Sequence, residues 1–272
     1  MSTEGNNVGF IGAGNMATAL IKGIISSGLY RPEMIKAFDN DPEKLKSIYN
    51  TYNVEGVHSN SELVKSCNII ILAVKPQVMN AVLEEIKENI TAEHLVISIA
   101  AGIKIEKIQS YLGKDVPVIR VMPNTPALIQ KGTGAVAPGE TVSADQMNTA
   151  LEIVRAVGIA FTVNESMMDA VTAVSGSGPG FVFKLMESFV DAAEKQGFDK
   201  ETAVKMVVQT FLGASMLAES SDLSLSELRE MVTSPGGTTQ AGLEYLDENN
   251  IDDTIDGTIV TAKDKSIELG KK

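Results

Sequence analysis

Gly9-Phe10-Ile11-Gly12-Ala13-Gly14-Asn15-Met16-Ala17 runs from an apolar strand through G-x-G-x-x-A straight into a helix-period segment. Each small residue has a separate task. Gly12 permits the tight turn, Gly14 lets bare backbone approach a pyrophosphate, and Ala17 lets helix and strand pack closely. The pyrophosphate then sits on the helix N-terminus, where unpaired N–H groups and the dipole favour an anion, with Ala13, Asn15 and Met16 beside the glycines as cofactor-binding candidates. The strand–turn–helix context separates this match from an ordinary tight turn, and it points to a dinucleotide.

Outward from that turn, short apolar runs alternate with helical periods. Strands are predicted at Val8–Ile11, Ile35–Phe38, Asn68–Val74, His94–Ser98 and Val116–Met122. Helices fall at Asn15–Ser27, Pro42–Tyr49, Val78–Glu88 and Ile105–Leu112. The unbroken β-branched run at Asn68–Val74 has the look of a central parallel strand buried on both faces. Thr133–Ala137 and Ile159–Val163 add edge strands around a helix at Ala144–Val157. The fold class is therefore α/β, with an N-terminal Rossmann-type doubly wound parallel sheet followed by an all-α C-terminal domain. The boundary is read at residue 163: 1–163 bind the dinucleotide, and 164–272 are helical, bind substrate and dimerise. In the helical half, Lys200–Ala218 carries Val204, Val207, Val208, Phe211, Leu212, Met216 and Leu217 on a broad arc. A helix apolar on so wide an arc is buried on more than one side, and a partner subunit is the simplest source of that burial.

The chain has 272 residues, 23 Lys+Arg against 35 Asp+Glu and a formal charge of −12. So acidic a surface repels phosphate backbones, which makes nucleic acid a poor partner. Any anionic ligand must be held by local groups. One cysteine, Cys67, forbids an internal disulfide and fits a reducing cytoplasm. With Cys67, His58 and His94 alone, no zinc site of the Cys/His kind can be assembled, and no metal is expected. No signal-peptide core and no membrane-length apolar run is visible, so the reading is a soluble, cytoplasmic protein without a membrane partner.

Further candidate residues sit at successive strand ends, where open α/β sheets bind ligands. Asp39 ends the second strand 25 residues after Gly14. An acid there bonds ribose hydroxyls and favours NADH, although a solvated turn in Asp39-Asn40-Asp41-Pro42 explains it equally well. Ala73-Val74-Lys75-Pro76 places a cation after the central strand. Ser98-Ile99-Ala100-Ala101-Gly102 offers small residues against which a flat ring can lie, and Asn124 in Met122-Pro123-Asn124-Thr125-Pro126 offers donor and acceptor. Singly, each is also ordinary loop chemistry; three in succession weigh towards binding. Two glycine-rich helix starts follow, Ser175-Gly176-Ser177-Gly178-Pro179-Gly180 and Ser234-Pro235-Gly236-Gly237-Thr238-Thr239, each a place for a carboxylate on backbone N–H groups. With so few acid/base groups, the cofactor should supply the chemistry and the protein the orientation.

In this order, the motifs Gly9–Ala17, Ala73–Pro76, Ser98–Gly102, Met122–Pro126, Ser175–Pro179 and above all Ser234–Thr239 resemble pyrroline-5-carboxylate reductases. The resemblance runs from Val8 to about Leu269. It implies reduction of a cyclic imine, 1-pyrroline-5-carboxylate, to L-proline with NADPH or NADH, the last step of proline biosynthesis. It also implies a homodimer through the helical domain and a decamer of five dimers. By resemblance, Thr239 bonds the ring nitrogen and supplies or relays its proton, with Lys75 beside the nicotinamide. Ser177, Gly237 and Thr238 belong to the substrate site, and Glu165 matches an acid near the substrate amine. Asn60 matches an asparagine on the adenosine-ribose side of the cofactor, and Asn124 lies near the nicotinamide ribose. The chain departs from the family's Gly-Pro-Ala-Tyr at Gly178-Pro179-Gly180-Phe181, so no tyrosine hydroxyl acts there. Two other readings are weighed. A reductase of the hydroxyacid or deazaflavin type needs a lysine in a glycine-rich frame, which Lys184, Lys195, Lys200 and Lys205 lack. A non-catalytic dinucleotide sensor would not need an intact Ser234–Thr239.

Overall fold

A computed structural model describes residues 6–270 as two compact units, one reaching to Ser177 and rejoined from Ala262 onward, the other spanning Gly178–Thr261. The first unit is an eight-stranded sheet in the order β3-β2-β1-β4-β5-β6-β7-β8. Its strands are β1 Val8–Ile11, β2 Ile35–Phe38, β3 Glu55–Gly56, β4 Ile69–Leu72, β5 Leu95–Ser98, β6 Val118–Met122, β7 Gly132–Pro138 and β8 Gly158–Thr162. Its helices are α1 Asn15–Ser26, α2 Pro42–Tyr52, α3 Asn60–Ser66, α4 Met79–Ile86, α5 Ile105–Leu112, α6 Ala144–Arg155 and the single turn α7 Met168–Val171.

The two-residue side-chain alternation of a strand explains why β4 is apolar throughout. Ile69 and Ile71 join the core under α1 and α6, with Phe10, Leu20, Ile24 and Ile153. Ile70 and Leu72 point the other way, into the core under α3, α4 and α5, with Leu63, Leu83 and Ile108. Both faces are covered, so every side chain of the strand is buried.

The sheet departs from the all-parallel expectation at one pair. β6 and β7 run antiparallel, Val121 opposite Val136, whereas all other pairs are parallel. The connection from Met122 to Gly132 holds only one short 3-10 turn, Thr125–Ile129. It is too short for the crossover that a parallel neighbour requires. The edge strand β3 and helix α3 are additions to the sequence reading.

The last strand ends at Thr162, and every element after it among the described residues is helical. The segment 164–177 nevertheless belongs with the sheet unit. Met168 is fully buried against Ala135 and Ala137 of β7. The end of the C-terminal helix also lies in this unit, where Ser266 donates to Asp169 at 2.7 Å.

The second unit contains α8 Gly178–Lys195, α9 Lys200–Ser220, α10 Leu225–Met231, α11 Thr238–Glu248 and the first part of α12 Ile251–Leu269. Phe189 of α8 meets Phe211 of α9 edge-on, with ring centroids 5.5 Å apart. In α9 only Ala203 and Val207 are buried; Val204, Val208, Leu212, Met216 and Leu217 stay exposed. The broad apolar arc is therefore not covered within one chain. Among the described residues no helix is long and apolar enough to cross a membrane.

Candidate functional site

The strand order turns at β1, which has β2 on one side and β4 on the other. This is the topological switch point, where open α/β sheets leave a crevice at the carboxyl ends of the strands. The G-x-G-x-x-A turn lies there. Gly12 has φ +100°, and a Cβ on it would lie 2.6 Å from the Ala73 carbonyl oxygen, so the position takes only glycine without rearrangement. The Gly12 N–H donates to Phe38 O, and Ala73 N–H donates to Ile11 O, both at 2.8 Å. Those bonds fasten the turn between β2 and β4 and put Ala73, Val74, Lys75 and Pro76 directly beside it.

Gly14 differs from Gly12. Its φ is −77°, and a Cβ there would meet nothing within 4 Å. It is the N-cap of α1, which has no side-chain cap and no acidic residue in its first turn. The N–H groups of Asn15, Met16 and Ala17 thus begin a helix with no carboxylate competing for them. Beside them opens a cleft of about 290 Å³ lined by Gly14, Asn15, Thr18, Lys44, Ser47 and Leu128. A second feature fits a polar ligand. Asn60, the first residue of α3, donates Nδ2 to Glu85 Oε2 at 2.7 Å, but its Oδ1 is buried with no hydrogen-bond partner.

Several sequence-selected residues are already engaged. Asp39 Oδ2 accepts from Ala13 N at 2.8 Å and Oδ1 from Asp41 N at 2.9 Å, while Lys44 Nζ lies 3.2 and 3.3 Å from the two oxygens. Burial alone would raise this carboxyl's pKa; the hydrogen bonds from Ala13, Asp41 and Lys44 outweigh it and hold Asp39 below the usual carboxylate range. The Ala13 N–H therefore has a partner inside the protein. Asn124 is buried and bridges two segments, accepting from Thr133 N at 2.9 Å and donating to Ser175 O at 3.0 Å. Glu165 Oε1 accepts from Ile105 N at 2.7 Å, which caps a helix whose own N-cap Lys104 cannot, and lies 3.5 Å from buried Arg120. Ala100 is buried and Ala101 exposed in the loop after β5, and Lys75 is exposed.

The two glycine-rich helix starts also differ from each other. Around Ser175 the backbone forms a π-helical turn, Thr172–Gly176, and Ser177 N–H donates to Thr172 O at 2.8 Å. That N–H is not bare. The π turn ends at Gly176, and α8 starts at Gly178 after a bend at Ser177. In the second unit Gly237 N–H closes a turn onto Ser234 O at 2.9 Å. Gly236, at φ +70°, donates to Gln240 Oε1 at 2.8 Å. Gly237 is the N-cap of α11 with no side-chain cap. The open N–H groups consequently begin at Thr238 and Thr239, one step beyond the glycines.

Sequence reasoning missed Lys44, Ser47 and Arg120. Arg120 carried a signal, a lone cation in the apolar strand Val118–Met122 that demands a buried counter-charge. The two histidines and the cysteine remain outside the site. His94 bonds Thr91 and Val64 O through its two ring nitrogens, and burial pushes the Cys67 thiol pKa up.

A glycine turn at the switch point, an uncapped helix start and an adjoining cleft define a dinucleotide-binding protein of the Rossmann kind. Residues 7–102 match the model described as NADP oxidoreductase, coenzyme F420-dependent, and residues 165–269 match the one described as pyrroline-5-carboxylate reductase dimerisation. The pyrroline-5-carboxylate reductase of Methanosarcina acetivorans is 41% identical, over 99% of this chain and 100% of the relative. The Coxiella burnetii pyrroline-5-carboxylate reductase structure superposes with a TM-score of 0.93 at 37% identity, covering 97% of this chain and 98% of that one. The Plasmodium falciparum pyrroline carboxylate reductase, solved with NADP bound, superposes at 0.87 and 31% identity over 98% of this chain and 99% of that one. This chain belongs to the pyrroline-5-carboxylate reductase family. The dimerisation model matched at 165–269 supports a homo-oligomer, and the apolar arc of α9 is exposed in the single chain.

Proposed function

We propose that this chain reduces 1-pyrroline-5-carboxylate to L-proline with NAD(P)H and that two separate sets of backbone N–H groups hold the two anionic ligands. The observation that carries the reading is the uncapped first turn of α11, where Thr238 and Thr239 follow a tightly folded Pro-Gly-Gly turn. When bound, NAD(P)H supplies the hydride that adds to the C=N carbon. Gly12 shapes the pyrophosphate turn. Gly14, Asn15 and Met16 present the helix start, and Ala73, Val74, Pro76, Ala100 and Ala101 form the walls against which the cofactor lies. Lys75 offers its ammonium at the end of the central strand. Asn60 offers its unpaired Oδ1 to a cofactor hydroxyl. Asn124 acts through its two hydrogen bonds, by holding the loop after β6.

On the substrate side, the Thr238 and Thr239 N–H groups bind the carboxylate, and Thr239 Oγ1 bonds the ring nitrogen and delivers or relays its proton. A protonated imine is already electrophilic, so the reaction needs no strong base. The substrate role of Ser177 narrows to its hydroxyl, and that of Glu165 to positioning through Arg120 and Ile105. We further propose that the protein is cytoplasmic and forms a homodimer through its helical part, five such dimers making a decamer. The reading is tested by mixing purified protein, NADPH or NADH, and the imine. Cofactor oxidation should match L-proline formed one for one, and Thr239→Ala should lower kcat far more than it weakens cofactor binding. No proline with either cofactor overturns the reading; an unchanged kcat removes Thr239 from it.

A further inference from the structure

Asp39 stands at the position that, in a dinucleotide fold, bonds the adenosine ribose hydroxyls and turns away a 2′-phosphate. Its surroundings here do not suit that task. A carboxylate has about four lone-pair positions. Ala13 N, Asp41 N and both contacts from Lys44 Nζ fill them. A ribose hydroxyl finds no acceptor left unless Lys44 moves away. The bond to Ala13 also makes Asp39 part of the glycine turn, a structural anchor across 26 residues of sequence.

Lys44 has the opposite freedoms. Its side chain is 46% exposed against 14% for Asp39, and it lines the 290 Å³ cleft together with Ser47, Thr18 and Gly14. The ammonium has three donors and a flexible stem, and the cleft side of it faces solvent. The pair it forms with Asp39 is neutral overall, so the carboxylate no longer repels a phosphate arriving there. The other acids on this turn are directed elsewhere, Asp41 to Glu43 N at 3.0 Å and Glu43 to Lys46 at 3.7 Å.

We propose that Lys44, with the Ser47 hydroxyl beside it, reads the 2′ position of the adenosine ribose and makes this a site for the 2′-phosphorylated dinucleotide, NADPH. The assignment rests on the glycine turn binding a dinucleotide, and it reverses the preference that Asp39 alone suggests. Lys44 stays within reach of Asp39 and turns a remaining N–H donor of its ammonium onto the phosphate, so the carboxylate stays neutralised, Asp39 keeps its two backbone donors and the turn keeps its shape.

The test is direct calorimetric titration of NADPH and of NADH, without imine, into wild type, Lys44→Gln and Lys44→Arg. Wild type should bind NADPH at least as tightly as NADH. Lys44→Gln should weaken NADPH about tenfold or more, because it removes the cation and leaves Asp39 unpaired. NADH should stay the same or tighten, since carboxylate lone pairs are released to the ribose. Lys44→Arg should restore most of the NADPH affinity. An equal loss for both cofactors would mean that Lys44 only steadies Asp39, and a larger loss for NADH would reverse the assignment; either overturns the proposal. Binding of neither cofactor to wild type overturns the dinucleotide reading itself, a result distinct from the other two.

Discussion

Gly14→Ala separates the ligand-binding use of a glycine from its structural use. In the protein alone the change is nearly silent. The backbone angles, φ −77° and ψ −178°, suit alanine, and the new methyl meets nothing within 4 Å. Losing glycine's unfolded-state freedom stabilises by about 0.4–1 kcal/mol, and alanine's poor fit as an N-cap costs about as much. The two offset, and Tm should stay within about 2 °C. Binding should not stay the same, because the methyl occupies the space through which a pyrophosphate reaches the α1 N–H groups. Loss of one hydrogen bond to a charged group, about 1.5–3 kcal/mol, weakens NAD(P)H roughly 10- to 100-fold. Gly12→Ala is the counterpart. Positive φ costs an L-residue about 1–2 kcal/mol, and a methyl 2.6 Å from Ala73 O forces a backbone shift worth about 1–3 kcal/mol more. Together these cost about 2–5 kcal/mol, so its Tm should fall by roughly 4–20 °C at about 2–4 °C per kcal/mol. Cofactor titration and thermal melts of both variants suffice. Wild-type affinity in Gly14→Ala would refute the pyrophosphate assignment, and a wild-type melt for Gly12→Ala would refute the packing argument.

Two further outcomes concern buried polar groups. Glu165→Ala should cost about 3–5 kcal/mol in urea unfolding, since it strands Arg120, only 4% exposed, and uncaps α5; a loss under about 1 kcal/mol would show that Arg120 is satisfied without it. Tyr30 has a buried hydroxyl with no partner, and burial, with Glu152 second, pushes its pKa from 10.0 up to about 12. The unfolded chain gives up that proton first, so Tyr30's contribution is intact below pH 10 and about 3 kcal/mol is lost as pH rises towards 12. Tyr30→Phe should be about 1 kcal/mol more stable at neutral pH by removing the unpaired hydroxyl, with the gap to wild type widening above pH 10; parallel stability curves would contradict this.

The sheet was legible because its signals are local. β1 and β2 fall on the residues that alternation marks, Val8–Ile11 and Ile35–Phe38, and α5 on Ile105–Leu112. Helix α3 was legible in principle. Ser59 accepts from Glu62 N and Glu62 accepts from His58 N, a capping pattern written three residues apart just before Leu63 and Val64. Its seven residues are too few for periodicity to show. The direction of β7 was not legible, because it depends on how little chain the Met122–Gly132 connection provides. At the site, Gly12 and Gly14 could be assigned roles from spacing, since the strand–turn–helix context fixes their geometry. The saturation of Asp39 could not, because Lys44 reaches it across a turn and an N-cap rather than along one helix face. Likewise the glycines of 175–180 read as a helix start, and α8 does begin at Gly178, but the π turn before it, which takes the Ser177 N–H, carries no sequence signal of its own. Only the structure moves the open donors in the other motif from Gly237 to Thr238 and Thr239.

The central claim is that an acidic chain holds two anionic ligands on backbone N–H groups at two helix starts. Amide hydrogen exchange measured with and without saturating NADP⁺ and L-proline tests it most directly. NADP⁺ should protect Asn15, Met16 and Ala17, and L-proline should protect Thr238 and Thr239. Saturation by both ligands with no change in exchange at either helix start would contradict the account.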